Sequence, residues 1–106
     1  MKQEFATGFS ATATHATAAV ATQAAETGKR HYITDISAST DKAGALMLVK
    51  QGTTVIWQVQ LAASAAGNLA YSHTFSTPLV AGESALVSVT IDGTSVCNAN
   101  LSGFTL

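Results

Sequence analysis

Charge is what this chain has least of: Asp, Glu, Lys and Arg make up 10% of its 106 residues, against about a quarter in an ordinary soluble domain. Five Lys and Arg, scattered along a chain of net charge −1, do not make the basic patch that phosphate backbones require, so nucleic acid is excluded as a partner. Cysteine is nearly absent. Cys97 alone cannot close an intrachain disulfide, and without CxxC pairs or a His-rich tract no structural zinc is expected. Thr, Ser or Gln interrupts every apolar stretch before it reaches the length of a membrane span, the Ala-rich residues 11–25 included. Residues 1–9 lack the apolar core of a secretion signal, so export through a signal of its own is not expected.

Catalytic patterns are missing as well. No GxSxG elbow accompanies His15, His31 or His73, and the glycines stand singly rather than as a phosphate cradle. Of the acids Glu4, Glu26, Asp35, Asp41, Glu83 and Asp92 most lie at predicted turns or strand ends, and one acid per loop is too sparse for the six to eight or so oxygens of calcium. Cys97 reads as a small buried hydrophobe. The expectation is a protein that is not an enzyme and carries no cofactor.

What the sequence does have is alternation, the mark of a half-buried strand. Val55, Trp57, Val59 and Leu61 alternate with Gln58 and Gln60. Leu69, Tyr71, His73 and Phe75 alternate with Ala70, Ser72 and Thr74, ending before Pro78. Ala85, Val87, Val89 and Ile91 run into Asp92-Gly93, a strong hairpin signal, and predict a return through Ser95, Cys97, Ala99 and Leu101. Residues 45–49 pair by the same logic with the Trp57 strand, residues 32–39 form another strand, and Lys29-Arg30-His31 reads as a solvated loop or strand end. In residues 11–25 alanine favours helix and the spaced threonines favour an extended chain. No i, i+4 charge pairs support a helix, so strand is preferred. Six to eight short strands make the fold all-β, a single-domain antiparallel β-sandwich of jelly-roll type. Residues 1–27 read as an N-terminal arm and an Ala/Thr-rich first strand, and residues 28–106 as the jelly-roll core.

Three stretches carry a resemblance: Gly28-Lys-Arg-His-Tyr-Ile-Thr-Asp-Ile-Ser-Ala-Ser39, Phe75-Ser-Thr-Pro-Leu79, and Asn98-Ala-Asn-Leu-Ser-Gly-Phe-Thr-Leu106. Over residues 28–106 the chain resembles small jelly-roll virion proteins of tailed bacteriophages, of the head decoration, head fibre or tail-associated type. The resemblance implies a homotrimer on a capsid or tail, made in the host cytoplasm, with the major capsid protein or a tail protein as partner. That agrees with the charge deficit, because a small subunit packed against copies of itself has less surface to hold in water. Phe5, Phe9, Tyr32, Tyr71, His73, Phe75 and Phe104 are the candidate subunit or capsid contacts. The alternative is a tail or fibre module that recognises a host surface glycan through exposed aromatics and loop Asn or Asp, and loops of mainly Gly, Ser, Ala and Thr tilt toward the structural role.

Overall fold

Hydroxyl residues alternating with small apolar ones keep the chain extended from its first described residue, because β-branched Thr favours strands and Ala and Ser can lie on either face of one. The computed structural model describes residues 7–15, 18–42, 44–61, 69–93 and 97–106. They form eight strands: β1 (Thr7–His15), β2 (Ala18–Gln23), β3 (His31–Thr40), β4 (Leu46–Gln51), β5 (Thr54–Gln60), β6 (Leu69–Val80), β7 (Val87–Asp92) and β8 (Cys97–Thr105).

Two four-stranded sheets result, sheet A in the order β1-β8-β3-β6 and sheet B in the order β2-β7-β4-β5, antiparallel throughout. Every pair of consecutive strands except β4 and β5 is divided between the sheets. That path is a jelly roll. The segment set apart in the sequence as residues 1–27 supplies β1 and β2, the outer strand of each sheet, so the sandwich draws on both sides of the boundary at residue 28. The reason is local: Ala19 and Ala21 on β2 are buried between the sheets, and an edge with such small inward residues needs a partner layer to cover it.

The β4–β5 connection is a true hairpin. Gln51 pairs with Thr54, and Gly52 takes the positive φ of 60° that the first position of a two-residue primed turn demands. The second expected hairpin does not form. Asp92 ends β7 in sheet B while Cys97 begins β8 in sheet A, so the chain crosses the sandwich after Asp92-Gly93. Turn chemistry specifies a reversal of the chain, whereas β2 and β4 already occupy both sides of β7. Ser95 lies outside the described residues, as does the Gly67-Asn68 turn. Strand β6 continues through Pro78 to Val80. It is the edge strand of sheet A, and four residues, Phe75 to Pro78, face only Thr34 between the paired positions Asp35–Thr74 and Ile33–Leu79. At such a bulge the missing proline N–H breaks no ladder.

The core is graded in size. Ile33, Ile36, Met47, Val49, Val87, Val89, Ile91 and Leu101 fill its middle, all buried. Toward β1 and β2 the inward residues shrink to Ala11, Ala13, Ala19, Ala21 and Ala99, and toward β5 and β6 they grow to Trp57, Tyr71, His73 and Phe75. Cys97 is buried as expected, its thiol 3.3 Å from the His15 carbonyl. His31 departs from expectation. Lys29 and Arg30 are exposed, but His31 is 1% exposed, held by Thr105 Oγ1 at 2.7 Å on Nδ1 and the Ala24 carbonyl at 2.7 Å on Nε2. As the first residue of β3 it takes the inward phase that Ile33 shares, and two local partners satisfy the ring there.

One ion pair lies where β3 and β7 end. Lys42 Nζ lies 3.8 Å from Asp92 Oδ2 with both side chains about half exposed. Lys42→Ala is therefore expected to change stability by less than about 0.5 kcal/mol; a loss above about 1 kcal/mol in urea titration would contradict this weak pairing.

Candidate binding faces

Cross-strand partners point the same way, so the registers sort the paired strand residues into an inner and an outer set. In sheet A the inner rows are Ala13–Ala99–Ala38–Tyr71, Ala11–Leu101–Ile36–His73 and Phe9–Gly103–Ile33–Leu79. The outer rows are Thr14–Asn98–Ser39–Ala70, Thr12–Asn100–Ser37–Ser72, Ser10–Ser102–Asp35–Thr74 and Gly8–Phe104–Tyr32–Val80. This face consists of short hydroxyl and amide side chains with one carboxylate and, at one end, an aromatic pair. Tyr32 and Phe104 stack with ring centroids 4.9 Å apart and planes 5° from parallel.

The Asp35 carboxylate is held from both sides. Thr74 Oγ1 donates to Oδ1 at 2.7 Å and Thr34 Oγ1 to Oδ2 at 3.1 Å, and one row further Asn100 Nδ2 donates to Ser37 Oγ at 3.1 Å. Two hollows lie along this face, of about 290 and 280 Å³, and both are bordered by Ser37 and Ser72.

Sheet B presents a different outer face. Its rows read Thr22–Ser88–Lys50–Val55 and Val20–Thr90–Leu48–Gln58, with Leu46 paired to Gln60 beyond them. Val20, Leu46 and Val55 are 50%, 43% and 42% exposed. Val55 was expected inside with Trp57. A bulge between the pairs Val49–Trp57 and Lys50–Val55 leaves Ile56 unmatched and turns Val55 outward.

Of the seven candidate contacts, Phe5 lies outside the described residues. Phe9 faces inward and meets His31 edge-on at 5.3 Å. Tyr71, His73 and Phe75 come together with Trp57 between the β5 and β6 edges: Trp57 lies 5.2 Å from His73 and 5.6 Å from Phe75, and His73 4.6 Å from Phe75. All four are half-buried, and the cluster closes the wide edge of the sandwich. Tyr32 and Phe104 stand on the outer face of sheet A. Among the described residues no group of three or more His, Cys, Asp or Glu could hold a metal ion, and no helix is long and apolar enough to cross a membrane.

No protein-family model matches the chain, and no curated protein matches it. Solved structures similar to it include a chain of the extra small virus (XSV) virus-like particle of the giant freshwater prawn Macrobrachium rosenbergii, at 14% identity and TM-score 0.38 over 93% of this chain and 79% of that one. Another is PliG of Aeromonas hydrophila, a periplasmic inhibitor of g-type lysozyme, at 10% identity and TM-score 0.36 over 93% of this chain and 85% of that one. One belongs to a virus particle and the other to an enzyme inhibitor. The jelly-roll assignment rests on strand order, and function must be argued from the faces themselves.

Sequence reasoning passed over Asp35, Val20, Leu46 and Val55. Asp35 was discounted as a lone acid, although its place among Ser, Thr and Asn in the outward phase of β3 was legible. Val20 and Leu46 stand in stretches that carry no inner and outer phase in the sequence, residues 11–25 and the continuously apolar residues 45–49, and for Val55 the bulge reversed the phase that was read.

Proposed function

We propose that this chain is a virion structural protein: a homotrimeric decoration subunit on a phage head, not an enzyme, whose partners are its own copies and the major capsid protein. The observation that carries the reading is the outer face of sheet B, where Val20, Leu46 and Val55 stand exposed around Leu48. Aliphatic side chains on a sheet face gain by leaving water, at about 25 cal/mol per Å² covered, and this face offers one charged neighbour, Lys50, in its central rows. Scattered surface aliphatics are ordinary; several on one face of a charge-poor domain mark a contact. The resemblance of residues 28–106 to decoration and head-fibre proteins supports the virion setting, and closed symmetry would shelter the edge strands of both sheets.

Sedimentation or light scattering tests the assembly. The expected mass at micromolar concentration is three times the 10.8 kDa subunit, and Val20→Asp combined with Val55→Asp is expected to return the mass to one subunit while the far-ultraviolet spectrum stays unchanged. A wild-type monomer, or a trimer indifferent to both substitutions, would sink this interface. Binding to purified phage heads, absent with the same double variant, tests the decoration role separately.

A further inference from the structure

We infer that the outer face of sheet A is a binding site for a neutral oligosaccharide, with the Asp35 carboxylate as its polar centre and Phe104 as its apolar platform. It lies on the opposite sheet from the assembly face and does not depend on that reading.

The composition of the face selects the ligand class. Apart from Asp35 its central rows are Ser, Thr, Asn and Ala, without Lys or Arg to receive phosphate or carboxylate groups, and Asp35 itself repels anions. A ligand rich in hydroxyls meets its match here. Hydroxyls and amides both donate and accept, while the carboxylate is a strong bidentate acceptor whose geometry Thr34 and Thr74 have already set. Among the described residues each oxygen accepts one of these bonds, which leaves a second lone-pair direction for a ligand hydroxyl.

The platform adds the second half of saccharide recognition, an apolar surface for the C–H face of a sugar ring. Phe104 leans on Tyr32 to one side. To the other stands Gly8, where an added Cβ would meet just the Gly103 carbonyl, at 3.9 Å, so no side chain of β1 covers the row there. The Ser10–Ser102–Asp35 row is two residues away, or about 7 Å along the strands.

The two hollows decide the length of the ligand. Sharing Ser37 and Ser72, they continue one another along β3 and β6. With the platform row they extend over residues 98–104 of β8, about 20 Å, which suits a chain of several sugars better than one.

The test is an NMR titration of the full chain with neutral trisaccharides built on glucose, galactose, mannose and N-acetylglucosamine, each at about 10 mM, enough to populate a millimolar site. At least one is expected to give saturable shifts at the amides of Ser37, Ser72, Asn100 and Ser102, while Val20, Leu48 and Thr90 on sheet B stay still. Asp35→Asn is expected to weaken that affinity at least tenfold with unchanged thermal midpoint, and Phe104→Leu to weaken it similarly while keeping an apolar residue over Tyr32. No saturable shift with any member, shifts confined to sheet B, or full affinity in Asp35→Asn would each overturn the site.

Discussion

Gly103→Ala is expected to lower stability by about 3 kcal/mol, at the upper end of what overpacking costs. A Cβ at this position would stand 2.0 Å from the Tyr32 carbonyl oxygen and 3.0 Å from Phe9 Cζ. The first contact is with backbone and cannot be relieved by rotating a side chain. It arises because the register of β3 slips between Ile33 and Asp35, bringing its main chain close to β8, while the absent side chain leaves room for the Phe9 ring that reaches His31. Gly8, on the neighbouring strand, provides the control: Gly8→Ala meets nothing nearer than 3.9 Å and should change stability by less than about 0.5 kcal/mol. Urea titrations of the two variants check the contrast, and equal midpoints would refute it.

His31→Leu is expected to cost about 3 kcal/mol, because it leaves the buried Thr105 hydroxyl without its partner and frees the Ala24 carbonyl. The loss is one of pairing more than of volume, which a double-mutant cycle can show. Thr105→Val added to His31→Leu removes the stranded hydroxyl and should restore about 1 kcal/mol, whereas Thr105→Val alone should destabilise. If the double variant were as unstable as the sum of the singles, the His31–Thr105 bond would not be what ties the start of β3 to the end of β8.

Both residues show where reading along the chain stops. The alternation read from the sequence stops at Leu101, two residues short of Gly103, and nothing near Gly103 in sequence announces the Tyr32 carbonyl, which arrives from a strand about seventy positions earlier. His31 follows two exposed cations, so its neighbours point to solvent, yet its phase is that of Ile33 and it is buried. The candidate contacts divide in the same way. Alternation correctly placed Tyr71, His73 and Phe75 on one face, but a period of two does not say whether that face looks into the sandwich or away from it.

Near neighbours along the chain were enough for strand character, from β-branched and hydroxyl alternation, for the pairing of residues 45–49 with the Trp57 strand, and for the buried phase of Val87, Val89 and Ile91. Tertiary structure decided which sheet each strand joins. It sent β7 and β8 to opposite sheets despite Asp92-Gly93, drew residues 7–23 into both, and turned Val55 outward at a bulge. The physical reason is that inward residues are chosen by local pattern, whereas partners across a ladder and outward neighbours are chosen by which strands are left to pair, and that is settled once all eight are in place.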